Sequence, residues 1–153
     1  MARLKDLPET LQKHLLALAL PEFDSTPFLA GPPLRERRIA IVSTAGLHRR
    51  SDPRYVGLAG DYRVIPGDVA AADLVMSHVS TNFDRSGFQQ DWNIVFPLER
   101  LREMAGRGEI GSVADFHYSF MGATDPAQME SAASEMAALM ARDRVEGVLF
   151  VPV

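Results

Sequence analysis

The sequence predicts an α/β domain: three layers, with a mostly parallel sheet and flanking helices, of the Rossmann or flavodoxin kind. Three observations carry that prediction. Short apolar, β-branched runs recur at Arg38–Ser43, Tyr62–Pro66 and Leu74–Val79 between charged or turn-forming residues. Helical patterns then alternate with extended segments over the second half. Last, Arg144-Val145-Glu146-Gly147-Val148-Leu149-Phe150-Val151-Pro152-Val153 reads as a buried strand entered directly from a helix. In open α/β sheets ligands sit just beyond the carboxyl ends of strands, so the chain ends where a reactive group is expected.

The elements follow in order. Leu7 to Ala19 is expected to be a helix, with Pro8 in its first turn and Leu11, Leu15 and Leu18 on one stripe; Pro21 ends it. Glu22 to Pro33 holds three prolines and Gly31 and should be an irregular arm. Arg38–Ser43 is the first strand of the sheet, followed by a small-residue turn over Thr44-Ala45-Gly46-Leu47-His48. Tyr62–Pro66 and Leu74–Val79 are the second and third strands, while Arg49 to Asp61 has too much Pro, Gly and charge to read as a helix. Pro97 opens a helix to Arg107 with Leu98, Leu101 and Met104 at core spacing, and Gly106 and Gly108 near its end. Val113–Phe120 is extended. Thr124-Asp125-Pro126 places a capping residue before an N1 proline, and Met129, Ala133, Met136, Ala137 and Met140 form the apolar stripe of the last helix.

A length of 153 residues is one domain's worth, so a single core is expected, with residues 1–36 as N-terminal helix and proline-rich arm and residues 37–153 as the α/β domain. A net charge of −4 argues against a nucleic-acid binder. The longest early apolar run, Leu15–Leu20, is far short of the ~20 residues of a membrane span, so no membrane association is expected. The sequence has no cysteine, which excludes disulfides and thiolate metal sites and leaves a cytoplasmic location as the simplest expectation.

The densest polar block, Ser77 to Asn93, begins at a predicted strand end, where α/β proteins place ligand contacts. There His78, Asp84 and Arg85 could bind a carboxylate or orient a proton donor, since arginine clamps carboxylates through two parallel hydrogen bonds. The competing structural reading is a loop ion pair between Asp84 and Arg85, with Asn82 and Asn93 satisfying turn backbone. Ser43, Thr44 and His48 occupy the position of a substrate-binding turn but lack a glycine-rich phosphate pattern, and Arg49 and Arg50 beside His48 fit a solvated basic surface equally well. His117 precedes the Phe120–Thr124 turn into the last helix. Alternation puts Phe116, Tyr118 and Phe120 on one face, leaving Tyr118 in the core and His117 facing solvent. No pair among His48, His78 and His117 has helical metal-ligand spacing, so no metal site is assigned, although a metal or acid-base enzyme using these three is an alternative.

The run from Ser77-His78-Val79-Ser80-Thr81-Asn82-Phe83-Asp84-Arg85 through Leu101, followed by Gly108 to Gly122, resembles the selenoprotein B family of glycine, sarcosine, betaine and D-proline reductases. The resemblance covers roughly residues 38 to 153 and is strongest from 74 to 124. It implies a selenocysteine or cysteine in a redox motif following the strand that ends at Val153. That group would cleave the C–N bond of a small amino acid or N-methylated amine reductively, with a pyruvoyl-bearing partner subunit and a thioredoxin-like electron donor. Loop position taken with the resemblance assigns the substrate carboxylate to Arg85, proton transfer to His78 and their orientation to Asp84, with Ser43, Thr44, His48, Ser80, Thr81, Asn82, His117 and Gly122 lining the substrate cleft. The sequence departs from the pattern where the nucleophile is due, because no residue follows Val153. Two arrangements fit: a selenocysteine codon, ordinarily read as stop, beyond which the full protein continues, or a shortened relative that keeps binding or assembly alone. Apolar surface left on the last strand would be hidden by a downstream helix or by homo-oligomerisation.

Overall fold

Arg38–Ser43 forms strand β1, and every residue from Ile39 to Ser43 is buried because both faces and both edges of this strand are covered. The structure is a computed structural model and describes residues 4–17, 22, 24, 28–80 and 85–153. Along one edge of β1 runs the parallel strand β7 (Gly147–Val151), in register from Ile39↔Gly147 to Ser43↔Val151. Along the other lie two short parallel strands in succession, β5 (Ser112–Val113) and β6 (Phe116–Phe120). β3 (Tyr62–Pro66) closes that side by pairing antiparallel with β6, from Tyr62↔Phe120 to Pro66↔Phe116. The sheet is therefore mixed, and the expectation of a mostly parallel sheet is corrected. Hydrophobic pattern places a strand in a sheet but carries no sign of direction, and no crossover helix precedes β3 to enforce parallel pairing.

The Leu74–Val79 expectation also changes. Only β4 (Leu74–Met76) is a strand, and it pairs antiparallel with β2 (Leu47–Arg49) in a separate two-stranded unit. β2 begins inside the stretch expected as a plain turn and runs one residue past it. The terminal strand is extended as expected but not buried: Leu149 is 37% and Phe150 65% exposed, because among the described residues β1 is the one strand that pairs with β7.

Side-chain alternation along β1 sets the two cores. Ile39 and Ile41 face a cluster with Trp92, Phe96, Leu98 and Leu101, the last two on helix α3 (Leu98–Gly106). Ala40 and Val42 face the opposite way, with Tyr118 and Phe120, onto Met136 and Met140 of helix α4 (Pro126–Arg142). Helices thus flank both faces of the sheet. The α4 stripe follows the expected Met129, Met136 and Met140, with Ala132 and Leu139 packed alongside and Ala137 exposed. Helix α1 (Glu9–Leu16) is shorter than the expected segment, buries no residue, and its expected end beyond Ala17 lies outside the described residues, as does part of the proline-rich arm. A short helix α2 (Ser86–Gln90), unforeseen in the sequence, leads into a 3-10 turn at Trp92–Ile94. Among the described residues no helix is long and apolar enough to cross a membrane.

α4 begins as the sequence predicts. The Asp125 carboxylate accepts the Ala127 N–H at 3.0 Å with Pro126 at the first helical position. Asp125→Ala should cost about 1 kcal/mol and Asp125→Asn only a few tenths, read as urea midpoints; equal midpoints for wild type and the alanine variant would remove the cap from the account.

Candidate functional site at the strand ends

The parallel strands β1, β6 and β7 all finish at one end of the sheet, and the segments leaving them meet there. Thr44, directly after β1, donates its N–H to Val151 O at 3.1 Å, and its carbonyl accepts the Gly122 N–H at 2.9 Å. Its hydroxyl accepts the Val153 N–H at 2.8 Å. One residue thus ties the exits of all three strands together. Gly122 is required by this closeness, since a Cβ there would lie 2.7 Å from the Thr44 carbonyl oxygen. Gly46 turns the chain with φ +64, and a Cβ on it would stand 3.1 Å from the His78 backbone. That close approach brings the segment after β4 into the group: Ser77 N–H donates to Gly46 O at 2.9 Å, and Val79 N–H to Met121 Sδ at 3.4 Å.

His78 is buried at this junction, 6% exposed, and its Nδ1 accepts the Ser80 N–H at 3.2 Å. Burial, aided by the nearby Arg85 cation, holds its pKa below the ordinary histidine value. It is neutral at pH 7, and with Nδ1 accepting, the ring hydrogen sits on Nε2. Arg85 is exposed, and its Nη2 donates to the His78 carbonyl and, at 3.4 Å, to the Ser80 carbonyl. The guanidinium therefore fastens the two ends of the 78–80 loop. Thr81, Asn82 and Asp84 lie outside the described residues. Asn93 does satisfy turn backbone, accepting the Glu99 N–H at 3.1 Å at the start of α3.

The remaining candidates serve the frame. Ser43 is fully buried, donates to Val95 O at 2.8 Å and accepts the Ala45 N–H at 3.2 Å. His48 is buried between Arg49 O at 2.7 Å and Ser77 Oγ at 2.8 Å, holding β2 to the start of the polar loop. Its neighbours are engaged too: Arg49 pairs with Asp52 at 2.9 Å, and Arg50 donates to Ala72 O at 3.1 Å. His117 is 0% exposed, which corrects its expected solvent-facing position. The alternation is as expected, but the face it occupies is covered by Phe96, whose ring stands at 89° to the imidazole with centroids 5.6 Å apart. Among the described residues no group of three or more His, Asp or Glu is placed to hold a metal ion, so the three histidines do not form one site. The structure gives parts to Met121 and Ser77, which lie within the candidate segments but had no role assigned from the sequence. Met121 is fully buried beside the predicted Gly122, and its only signal was its place in the turn after β6.

A model of the family described as glycine/sarcosine/betaine reductase selenoprotein B matches residues 11–152. D-proline reductase subunit gamma of Acetoanaerobium sticklandii is 33% identical over 120 residues, covering 76% of this chain and 48% of that protein. Betaine reductase complex component B subunit beta of Peptoclostridium acidaminophilum is 28% identical over 121 residues, covering 76% of this chain and 28% of that protein. The chain thus spans about half the length of the first relative and less of the second. No solved structure matches it.

Proposed function

The chain belongs to the glycine/sarcosine/betaine reductase selenoprotein B family, and from that premise we propose that it supplies the substrate-holding α/β platform of such a reductase. The substrate would be glycine, sarcosine, betaine, D-proline or a related small amine. The observation that carries this reading is the convergence of Thr44, His78, Gly122 and Val153 at the carboxyl ends of the parallel strands, where open α/β sheets bind ligands. The reading also treats the sheet as related to the Rossmann or flavodoxin type, with an antiparallel strand at one edge.

In this proposal the exposed Arg85 receives the substrate carboxylate while its contact with the His78 carbonyl keeps the loop in place. His78, neutral and carrying its hydrogen on Nε2, moves the proton, and Asp84 orients the two. Thr44, Ser80 and Gly122 line the cleft, and Thr81 and Asn82 are assigned to substrate binding from the sequence alone. Ser43, His48 and His117 have polar atoms committed to the frame and position it from behind. The reductive C–N cleavage itself is the chemistry of a selenocysteine or cysteine and of a pyruvoyl group on a partner subunit. These 153 residues contain no thiol, so in this reading that nucleophile, expected beyond Val153, lies outside them. A thioredoxin-like donor would deliver the electrons, in the cytoplasm, within a multi-subunit and homo-oligomeric assembly.

The test has two arms. Titration of the purified chain with glycine, betaine and D-proline should give binding that Arg85→Ala weakens about tenfold, the scale of one charge-assisted contact. Unchanged affinity would remove the clamp. In the assembled complex supplied with a dithiol, one of the four amines should be consumed; failure of all four would overturn the reductase assignment. Binding without turnover in an assembly shown to carry selenium or a reactive thiol would favour a second reading, a non-catalytic binding or assembly subunit.

A further inference from the structure

At the opposite end of the sheet from Thr44, a cavity of about 400 Å3 opens between the end of α4, the start of β6 and β3. Its walls combine the apolar side chains of Val64, Phe116 and Leu139 with the Tyr118 phenol and the side chains of Arg142 and Arg144. Tyr118 is 1% exposed, yet its hydroxyl has no hydrogen-bond partner among the described residues. The ring is packed away while the hydroxyl opens into the cavity, where water or a ligand bonds it. Burial and the Asp143 charge push its pKa up to about 12, so it is a hydrogen-bond donor at neutral pH.

Charge at the cavity is unevenly spent. Its two carboxylates, Asp115 and Asp143, are both held by Arg38, at 2.8 and 2.6 Å. The guanidiniums of Arg142 and Arg144 have no acid partner among the described residues. The local sum is one net positive charge, with cations open and anions occupied.

Arg144 is also in an unusual backbone state, with φ 54, in the left-handed region that favours glycine. The position explains the conformation. Val145 N–H bonds Met140 O at 3.0 Å and Arg144 N–H bonds Ala141 O at 3.1 Å, the pair of bonds that ends a helix in a Schellman motif. Helix α3 ends in the same way, with Glu109 N–H on Met104 O and Gly108 N–H on Ala105 O, and there the left-handed residue is Gly108, φ +71. The same turn is thus made once with the favoured residue and once with a strained arginine that lines a cavity. Strain of this kind points to use of the side chain.

We propose that this cavity binds a small organic monocarboxylate with an apolar body, its carboxylate held by Arg144, Arg142 and the Tyr118 hydroxyl and its hydrocarbon part laid on Val64, Phe116 and Leu139. Amino acids are disfavoured there because the two carboxylates that would meet an ammonium are taken by Arg38. The inference does not rest on the reductase reading, and the cavity lies away from the strand-end site.

Benzoate, with benzamide as its uncharged counterpart, is the probe. Titrated into the purified chain and followed by amide NMR, benzoate should shift Val64, Phe116, Tyr118, Leu139 and Arg142–Arg144, and benzamide should bind at least tenfold more weakly. Arg144→Gly separates ligand from fold: its melting temperature should stay equal or rise, while benzoate affinity drops about tenfold. Tyr118→Phe should lose affinity severalfold without loss of stability, since the hydroxyl has no partner to lose. Arg142→Gln gives a second measure that leaves the left-handed turn untouched. Equal binding of benzoate and benzamide, shifts scattered over the surface, or full affinity in Arg144→Gly and Arg142→Gln would each overturn the site.

Discussion

Replacing Asp143 by alanine should cost about 3–5 kcal/mol of folding free energy, the range for removing one partner of a buried ion pair. The side chain is 7% exposed and serves three segments at once. One oxygen takes the Arg38 guanidinium, Nε at 3.0 Å and Nη2 at 2.6 Å. The other takes the backbone N–H groups of Asp115 at 2.8 Å and Phe116 at 3.1 Å, where the chain bends from β5 into β6. Alanine would leave the two backbone donors without their acceptor and the largely buried guanidinium with the exposed Asp115 carboxylate and the Val113 and Asp143 carbonyls. Asp143→Asn retains an oxygen for one side of this network and should cost less than the alanine variant. Asp115, which meets the same arginine but is 75% exposed, is the control: Asp115→Ala should cost under about 1 kcal/mol, because an exposed pair is screened by water. Urea midpoints decide, and similar midpoints for Asp143→Ala and Asp115→Ala would mean the network contributes nothing beyond a surface contact.

Much of the frame was legible because it is written in local pattern. β1 and β3 carry the bounds read from their β-branched runs, and α3 and α4 begin beside their prolines. What was illegible depends on residues far apart in sequence. Leu47–Arg49 becomes a strand only because Leu74–Met76 lies beside it, and the antiparallel sense of β3 is decided by its pairing with β6. The burial of His117 follows from Phe96, which reaches β6 through the unforeseen 3-10 turn after α2. The candidate site shows the same division. A strand-end loop could be placed from the position of Ser77–Arg85, but the contact of Gly46 with His78 that brings it to β1 could not. Arg144 left one readable trace: a helix end with arginine where glycine is usual.

The stability of the fold should fall steeply with acid between pH 6.5 and about 4, and His117 is the reason. Ile39 pairs with Val113 and Val42 with Tyr118, so the two residues of β1 between these pairs face four on the neighbouring segment. The ladder is interrupted there, and the Ile41 N–H would be a buried orphan. His117 Nδ1 accepts it at 2.9 Å, a side chain standing where a backbone carbonyl is missing. Only the neutral ring can accept, and Nε2 has no partner among the described residues to support a charge. Burial, with the Arg102 and Arg38 cations opposing Asp143, pushes the pKa down to about 4. The unfolded chain takes up this proton near 6.5 and the folded chain only near 4, so between those values protonation favours unfolding. The contribution is fully present above pH 6.5 and is lost as pH falls toward 4, about 3 kcal/mol in all, of which about 2 is gone by pH 5. His117→Asn offers an amide acceptor that does not titrate, so unfolding measured at pH 7 and pH 5 should show a drop in wild type roughly 2 kcal/mol larger than in the variant. Carboxylates contribute equally to both proteins and cancel in that difference. Parallel pH profiles would mean that the Ile41 N–H finds another acceptor when His117 is charged, and that the interruption in the ladder is not held by the imidazole.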